Sequence, residues 1–457
     1  MNRAEGSLHG FTPPALLVGE GRSGTTLLSA ILNRHPRLCV TPETHFFRLF
    51  FRYPGGEAAF ARDWPASLEW MVERMDATPD WQPSASAWLA SLPSGGRRRF
   101  PGAAALFLSL GEDIARRQGK RLWIEKTPPH VCYLPQIRRL FPQAPIIHLV
   151  RDGRDVADSL ASMPWSRVSR TGHLLRWAQR VGSARHQLRD DPHAIALRYE
   201  DLVQAPEQEI RRLCDFLDID FQSQMLQPDG SEAALIETGQ AHKELVRQPI
   251  STARVERWRH AYPDEEQKLA ARLIGRELAA WGYPVELPKP ARPLLVAWPL
   301  AEEAQRSAYT DCVAALCRAL PDTLVEPIAG LRTVAKKELA PGGILITGEP
   351  LPPGLHRHGW LAALGSVLRL QRHLARLGGR QLVYFHHGSL TRSRAWTWRL
   401  RLERQVAKGA RAIVVAPGGD TPEAVAKLLD VAPEKILGCD KGLGTRLAGL
   451  LAERTNR

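Results

Sequence analysis

A chain of 457 residues, 44% of them hydrophobic, is long enough for two or three globular domains, and it holds no run of 18 apolar residues to span a membrane. Its net charge of +14 rests on 51 arginines and 11 lysines spread along the sequence, not gathered into a stripe with interleaved aromatics, which sets aside a nucleic-acid binder and leaves basic clefts for small polyanions. Six scattered cysteines without a C-x-x-C pair set aside a disulfide framework and a zinc site; with an N-terminal MNRAEGSLHGFTPP that lacks an apolar core, they predict a cytoplasmic protein.

In chain order, residues 1–13 read as a tail. The first predicted element is the apolar run Ala15–Val18, followed by the loop GEGRSGTTLL and a helical pattern from Thr25 to Asn33. Gly19 and Gly24 keep the spacing of a phosphate-binding loop, G-x-x-x-x-G-K-[ST], but Thr25 stands in the lysine position, Thr26 follows, and Arg22 lies inside the loop. Backbone N–H groups of such a loop, at the positive end of the next helix, make an anion cradle. The hydroxyls of Ser23, Thr25 and Thr26 would add donors, and a guanidinium such as that of Arg22 can take two oxygens of one phosphate or sulfate. The absent lysine argues against a nucleotide phosphotransferase, which would use it on the β/γ-phosphates together with Mg²⁺; that alternative, and a plain turn, stay open on this loop alone.

Residues 60–120, rich in Trp, Ala and Arg, read as a helical insertion. RLWIEKTP (residues 121–128) reads as a strand ending in a charged turn, and APIIHLVRDGRDVADSL as strand, turn and helix around the buried run Ile146–Val150. Arg151 at that strand's end and Ser159, eight residues on along the helix, make a second phosphate site. HAIALRYEDL and PEQEIRRLCDFLDI continue the alternation, which predicts a mostly parallel sheet covered on both faces. PVELPKPARP carries four prolines and sets a linker at 285–293. Beyond it PLLVAWPL, GGILITGE, RQLVYFHHG and ARAIVVAPGG alternate with amphipathic segments, predicting a second, smaller Rossmann-like α/β domain over 294–457.

Two ordered phosphate motifs, with YEDL and RVERWR also in place over residues 14–284, resemble the PAPS-dependent sulfotransferase family, in particular its tyrosylprotein-sulfotransferase-like members. The resemblance implies a P-loop NTPase-like sulfotransferase fold with a central parallel sheet. It also implies 3′-phosphoadenosine-5′-phosphosulfate as sulfuryl donor, 3′-phosphoadenosine 5′-phosphate as product, and no metal. Arg22, Ser23, Gly24, Thr25 and Thr26 would then hold the phosphosulfate, and Arg151 and Ser159 the 3′-phosphate with Tyr199 beside it; Ser251 lies in a looser match near the phosphosulfate. Glu43, in HPRLCVTPETHFF, would be the general base, and Lys126, in EKTP, would touch the transferring group alongside Arg22. The acceptor would be a hydroxyl on a glycan, a peptide tyrosine or a small metabolite. Two departures, Pro42 before Glu43 in place of a second acidic residue and EKTPP in place of a lysine–aspartate–proline pattern, weigh against a protein-tyrosine acceptor.

Simpler roles stand beside these. Glu43 can be a capping or surface carboxylate and Lys126 a solvated turn lysine. Asp152, Arg154 and Asp155 are expected to cap and pair at a helix start, His35 to close the first helix, His148 to be a core histidine, and Trp258 to anchor a helix by packing. The stretch RLERQVAKGARAIVVAPGGDTPEAVAKLLDVAPEKI resembles the acceptor-side half of GT-B glycosyltransferases. The nucleotide-sugar half has no counterpart, so His386, His387 and Glu403 are expected to be structural, in a domain that binds glycans or is a remnant. A non-catalytic nucleotide- and glycan-binding scaffold is the further alternative. Oligomeric state has no readable code.

Overall fold

The computed structural model describes residues 14–78, 85–92, 99–228 and 248–287. Further on it describes 292–297, 310–320 save 312 and 316, 323–328, 344–347, 382–386, 410, 412–415, 421–429, 431–438, and 442–446 save 444. The chain packs as two compact units, one of residues 1–151 and 183–256, the other of 152–182 and 257–457.

In the first unit five parallel strands form one sheet: β1 (Ala15–Gly19), β2 (Leu38–Val40), β3 (Leu122–Lys126), β4 (Ile146–Val150) and β5 (Ala194–Arg198), in the order β2-β3-β1-β4-β5. β1 and β4 are buried at every residue, as strands covered on both faces must be. One apolar cluster joins Leu17, Ile31, Leu38, Ile147, Leu197 and Leu213. A second is aromatic: Phe46, Phe47, Phe50, Phe60, Phe107 and Trp123 are all essentially buried, with Phe47 and Phe107 ring centroids 4.6 Å apart. Each such side chain contributes roughly 1.5–3 kcal/mol through burial. The helix Phe46–Phe51 (FFRLFF) is pinned by this cluster, which fixes the downstream end of the loop that carries Glu43. The predicted insertion holds the helices Ala66–Asp76, Ala85–Ser91 and Ala103–Arg117, and the helix Gly56–Arg62 runs into it from before residue 60; residues 79–84 and 93–98 lie outside the described residues.

The second unit carries a six-stranded parallel sheet: β6 (Arg292–Ala297), β7 (Thr323–Ile328), β8 (Ile344–Thr347), β9 (Leu382–His386), β10 (Ala412–Val415) and β11 (Ile436–Gly438), in the order β11-β10-β9-β8-β6-β7. β6 starts at Arg292, inside the stretch expected to be linker, of which 288–291 lie outside the described residues. His387, Glu403 and the amphipathic run 359–378 also lie outside them.

Packing divides the chain at 151, 182 and 256 instead of at the prolines, because the helix Asp264–Ala280 belongs with the second sheet. A Cβ on its Gly275 would stand 2.6 Å from Leu287 Cδ2, with Leu324 of β7 beyond, and Arg272 Nη1 donates to the Cys317 carbonyl at 2.8 Å. The helix Gly153–Ala161 lies in the same unit. Asp152 caps it by accepting the Arg154 N–H and grips the Arg154 guanidinium, which lies 3.6 Å over the Trp258 ring; Asp155 accepts the Trp258 N–H at 2.9 Å. No helix among the described residues is long and apolar enough to cross a membrane.

Candidate active site

The site is built at the carboxyl ends of the first unit's strands, where parallel α/β sheets place their ligand crevices. Register does the work. Gly19 pairs with Leu149 and Val150 with Arg198, so the loop after β1, Arg151 after β4 and Tyr199 after β5 emerge side by side. Leu17 pairs with Lys126 and Val40 with Ile124, which brings the end of β3 and the loop after β2 to the same edge.

Two glycines make the loop possible. A Cβ on Gly19 would meet the Leu149 carbonyl oxygen at 2.5 Å, so only glycine lets β1 and β4 approach this closely. Gly24 has φ 95°, and a Cβ there would meet the Tyr199 ring at 2.4 Å. Arg22 also occupies the left-handed region, with φ 70°, a backbone state that costs a non-glycine residue of order 1–3 kcal/mol. The helix Thr25–Asn33 begins at Gly24 with no side-chain cap, leaving its first amides to the loop's ligand. Ser23 Oγ is fully buried and has no hydrogen-bond partner among the described residues, which suits a loop shaped for an anion. Thr25 is buried and Thr26 half-buried on the first turn.

Arg151, nearly buried, ties the elements together. Its Nη1 donates to the Arg22 carbonyl at 3.3 Å, its Nη2 donates to the Arg254 carbonyl, and its guanidinium lies 4.7 Å over the Tyr199 ring. Burial lowers the Arg22 pKa to about 10, and the charges of Arg151 and Arg254 add to the shift. Three guanidiniums therefore share one site. The sequence motifs placed Arg22, Arg151 and Tyr199 together. Arg254 was missed: it sits unmarked inside RVERWR, and it enters through a backbone carbonyl 103 residues from its partner. Ser251, three residues before it, is exposed, and its hydroxyl accepts the Ala253 N–H at 3.2 Å. Ser159 is half-buried on the helix Gly153–Ala161 of the second unit.

At the β2–β3 side, Lys126 Nζ is 2.9 Å from Glu43 Oε1, with side chains 6% and 19% exposed. Glu43 caps no helix and Lys126 is not a solvated turn residue: the two form a sheltered ion pair with one face to solvent. His45 Nε2 lies 3.9 Å from the other Glu43 oxygen, and burial lowers the imidazole's pKa, so the ring is neutral near pH 7. His148 is a core histidine, fully buried on β4, its pKa lowered to about 4 by burial. His35 is likewise buried just after the first helix, with Nδ1 accepting the Arg37 N–H.

A family model supports what this geometry outlines. The model described as the Sulfotransferase family matches residues 13–223, the segment that carries the loop, Glu43, Lys126, Arg151 and Tyr199. Together with relatives named as sulfotransferases, the match supports an enzyme of the sulfotransferase class. A Caenorhabditis briggsae protein provisionally named protein-tyrosine sulfotransferase is 28% identical over 228 residues, 48% of this chain and 70% of the relative. The nodulation protein NoeE of Sinorhizobium fredii is 26% identical over 302 residues, 57% of this chain and 64% of that protein. Among solved structures, the sulfotransferase domain of a Synechococcus olefin synthase aligns over 62% of this chain and 100% of its own, with 21% identity and a TM-score of 0.45.

Proposed function

We propose that the protein transfers a sulfuryl group from 3′-phosphoadenosine-5′-phosphosulfate to a hydroxyl on a carbohydrate, a peptide tyrosine or a small metabolite, with Glu43 as general base. The observation that carries the donor reading is the convergence of Arg22, Arg151 and Arg254 on a glycine loop closed by Tyr199. A donor phosphorylated at two separate positions needs two cationic holds. Arg22, Ser23 and the amides of Gly24, Thr25 and Thr26 would take the phosphosulfate, with Ser251 nearby. Arg151, with Tyr199 and the helix hydroxyl of Ser159, would take the 3′-phosphate.

In the reaction the acceptor oxygen attacks sulfur in line as the bond from sulfur to the donor's bridging phosphate oxygen breaks. That oxygen leaves with the electron pair, and Glu43 receives the acceptor's proton. Arg22, Lys126 and the loop amides stabilise the charge developing on the leaving phosphate. Arg151 and Ser159 position the donor without acting on the reacting bond. The Glu43–Lys126 pair shelters both groups; once Lys126 turns to the sulfuryl oxygens, Glu43 is free to accept a proton.

The test is release of 3′-phosphoadenosine 5′-phosphate and transfer of labelled sulfate across a panel of oligosaccharides, tyrosine peptides and phenols. Arg22→Ala is expected to lower turnover by about 10²–10³ or more, the loss typical of a transition-state donor. A protein that binds the nucleotide yet sulfates no acceptor class defeats the proposal. Thermal stabilisation by 3′-phosphoadenosine 5′-phosphate without Mg²⁺, and none by MgATP, separates it from phosphotransfer.

A further inference from the structure

One buried carboxylate of the site has no role in the chemistry above. Glu125 lies on β3 beside Lys126 and is fully buried. Its Oε1 accepts from Thr44 Oγ1 at 2.6 Å and from Thr127 Oγ1 at 2.5 Å, and its Oε2 accepts from His130 Nδ1 at 2.9 Å. Every donor is a second link to the same loop. Thr44 Oγ1 accepts the Phe46 N–H at 3.1 Å, Thr127 Oγ1 accepts the His45 N–H at 3.3 Å, and His130 Nε2 accepts the Phe47 N–H at 3.3 Å. The amides of residues 45–47, at the start of a helix with no cap from His45's own side chain, thus end on one carboxylate at one remove. The two bonds of His130 also fix its tautomer, with the proton on Nδ1.

This arrangement holds a conformation the backbone disfavours. His45 has φ 50° and ψ 16°, left-handed for a residue with a Cβ, and such states persist where surrounding bonds over-determine them. The residues flanking the network in sequence are the reacting pair: Glu43 precedes Thr44, and Lys126 follows Glu125. A buried carboxylate is costly unless fully bonded, and here both oxygens are.

We propose that Glu125, through Thr44, Thr127 and His130, is the positioning residue that sets the 41–47 loop and so holds Glu43 against Lys126. What Glu43 then does rests on the function proposed above; the positioning itself does not. Glu125→Gln keeps the shape but puts an NH₂ where one oxygen accepts, so at least one donor loses its partner.

Hydrogen exchange followed by mass spectrometry on the full chain, together with steady-state kinetics, tests this. In Glu125→Gln the amides of residues 45–47 are expected to exchange at least about tenfold faster, while peptides of β1 and β4 are unchanged. Affinity for 3′-phosphoadenosine 5′-phosphate should stay within about twofold, and kcat should fall about tenfold with little change in donor KM. Adding Glu125→Gln to Glu43→Gln should cost no more than about a further twofold, because the first acts through the second. A purely structural role would speed exchange throughout the unit and multiply the losses. If Glu125→Gln does not fold, Thr127→Val removes one donor and is read in the same exchange assay. Unchanged exchange at 45–47 in the folded variants, or fully multiplicative losses, overturns the proposal. A wild-type protein that sulfates nothing defeats the functional reading alone, and the exchange result still decides the positioning.

Discussion

The two halves of one sheet edge differ in charge and in how they are held. After β1, β4 and β5 the edge is cationic: three arginines share a site, and Arg151 spends its guanidinium on two carbonyls and an aromatic face. After β2 and β3 it pairs its charges with partners: Glu43 faces Lys126, and Glu125 takes three side-chain donors and the Thr44 N–H. A cluster of guanidiniums suits holding a polyanion. A charge-balanced pocket suits moving a proton, because a carboxylate gripped by several arginines would be a poor base. Under the function proposed above, the sheet would separate grip from chemistry by strand order.

That separation can be broken in a definite order. Glu43→Gln should show the largest effect, a fall in kcat of about 10²–10⁴ with nucleotide affinity unchanged in titration calorimetry; weakened nucleotide binding would mean the halves are not separate. Arg151→Ala should do the reverse, weakening 3′-phosphoadenosine 5′-phosphate by about 10–100-fold through loss of one or two charge-assisted bonds, with kcat at saturating donor falling much less. The smallest effect lies beneath the cationic half, at His148. Its folded pKa of about 4 lies below the usual 6.5, so the unfolded chain binds more protons between those values. The contribution is complete above pH 6.5 and is lost as pH falls towards 4, by no more than about 3.4 kcal/mol. In urea denaturation, His148→Leu should flatten the acid side of the stability profile; an unchanged slope would show that other groups carry it.

Legibility in the sequence tracked distance along the chain. The loop after β1 is local, and its glycines, its arginine and the helix start could be read directly. Arg151 could be read too, because β4 is an apolar run interrupted only by His148, and Arg151 follows its last residue. β2 was missed: Leu38–Val40 has three residues and becomes a strand only by pairing with β3. β7 was missed as well; Pro327 interrupts its pattern, and the strand accommodates it at the sheet's edge, where a missing N–H costs least. Glu125 is one charged letter in LWIEK, and its partner Thr44 is 81 residues away. The sequence marks neither its burial nor its bonds, since both arise from the fold closing around it. The roles of Glu43 and Lys126 came from resemblance; their pairing came from register.

The helix Asp264–Ala280 has a consequence for how this chain can be cut or recombined. Four prolines after Tyr283 invite a truncation there, yet the face of that helix carrying Gly275 rests on Leu287 and on Leu324 of β7, and Arg272 is bonded to Cys317. A chain ended at the prolines would keep the helix and lose its cover, presenting an apolar stripe to solvent, so poor solubility of that fragment would report on the missing strands and not on the sulfotransferase segment. By the same token, the second sheet cannot be exchanged between proteins as a cassette joined at a linker. Part of its unit is encoded upstream of the prolines, and a recombination event that respects the fold has to carry residues 152–182 and 257–283 along with it.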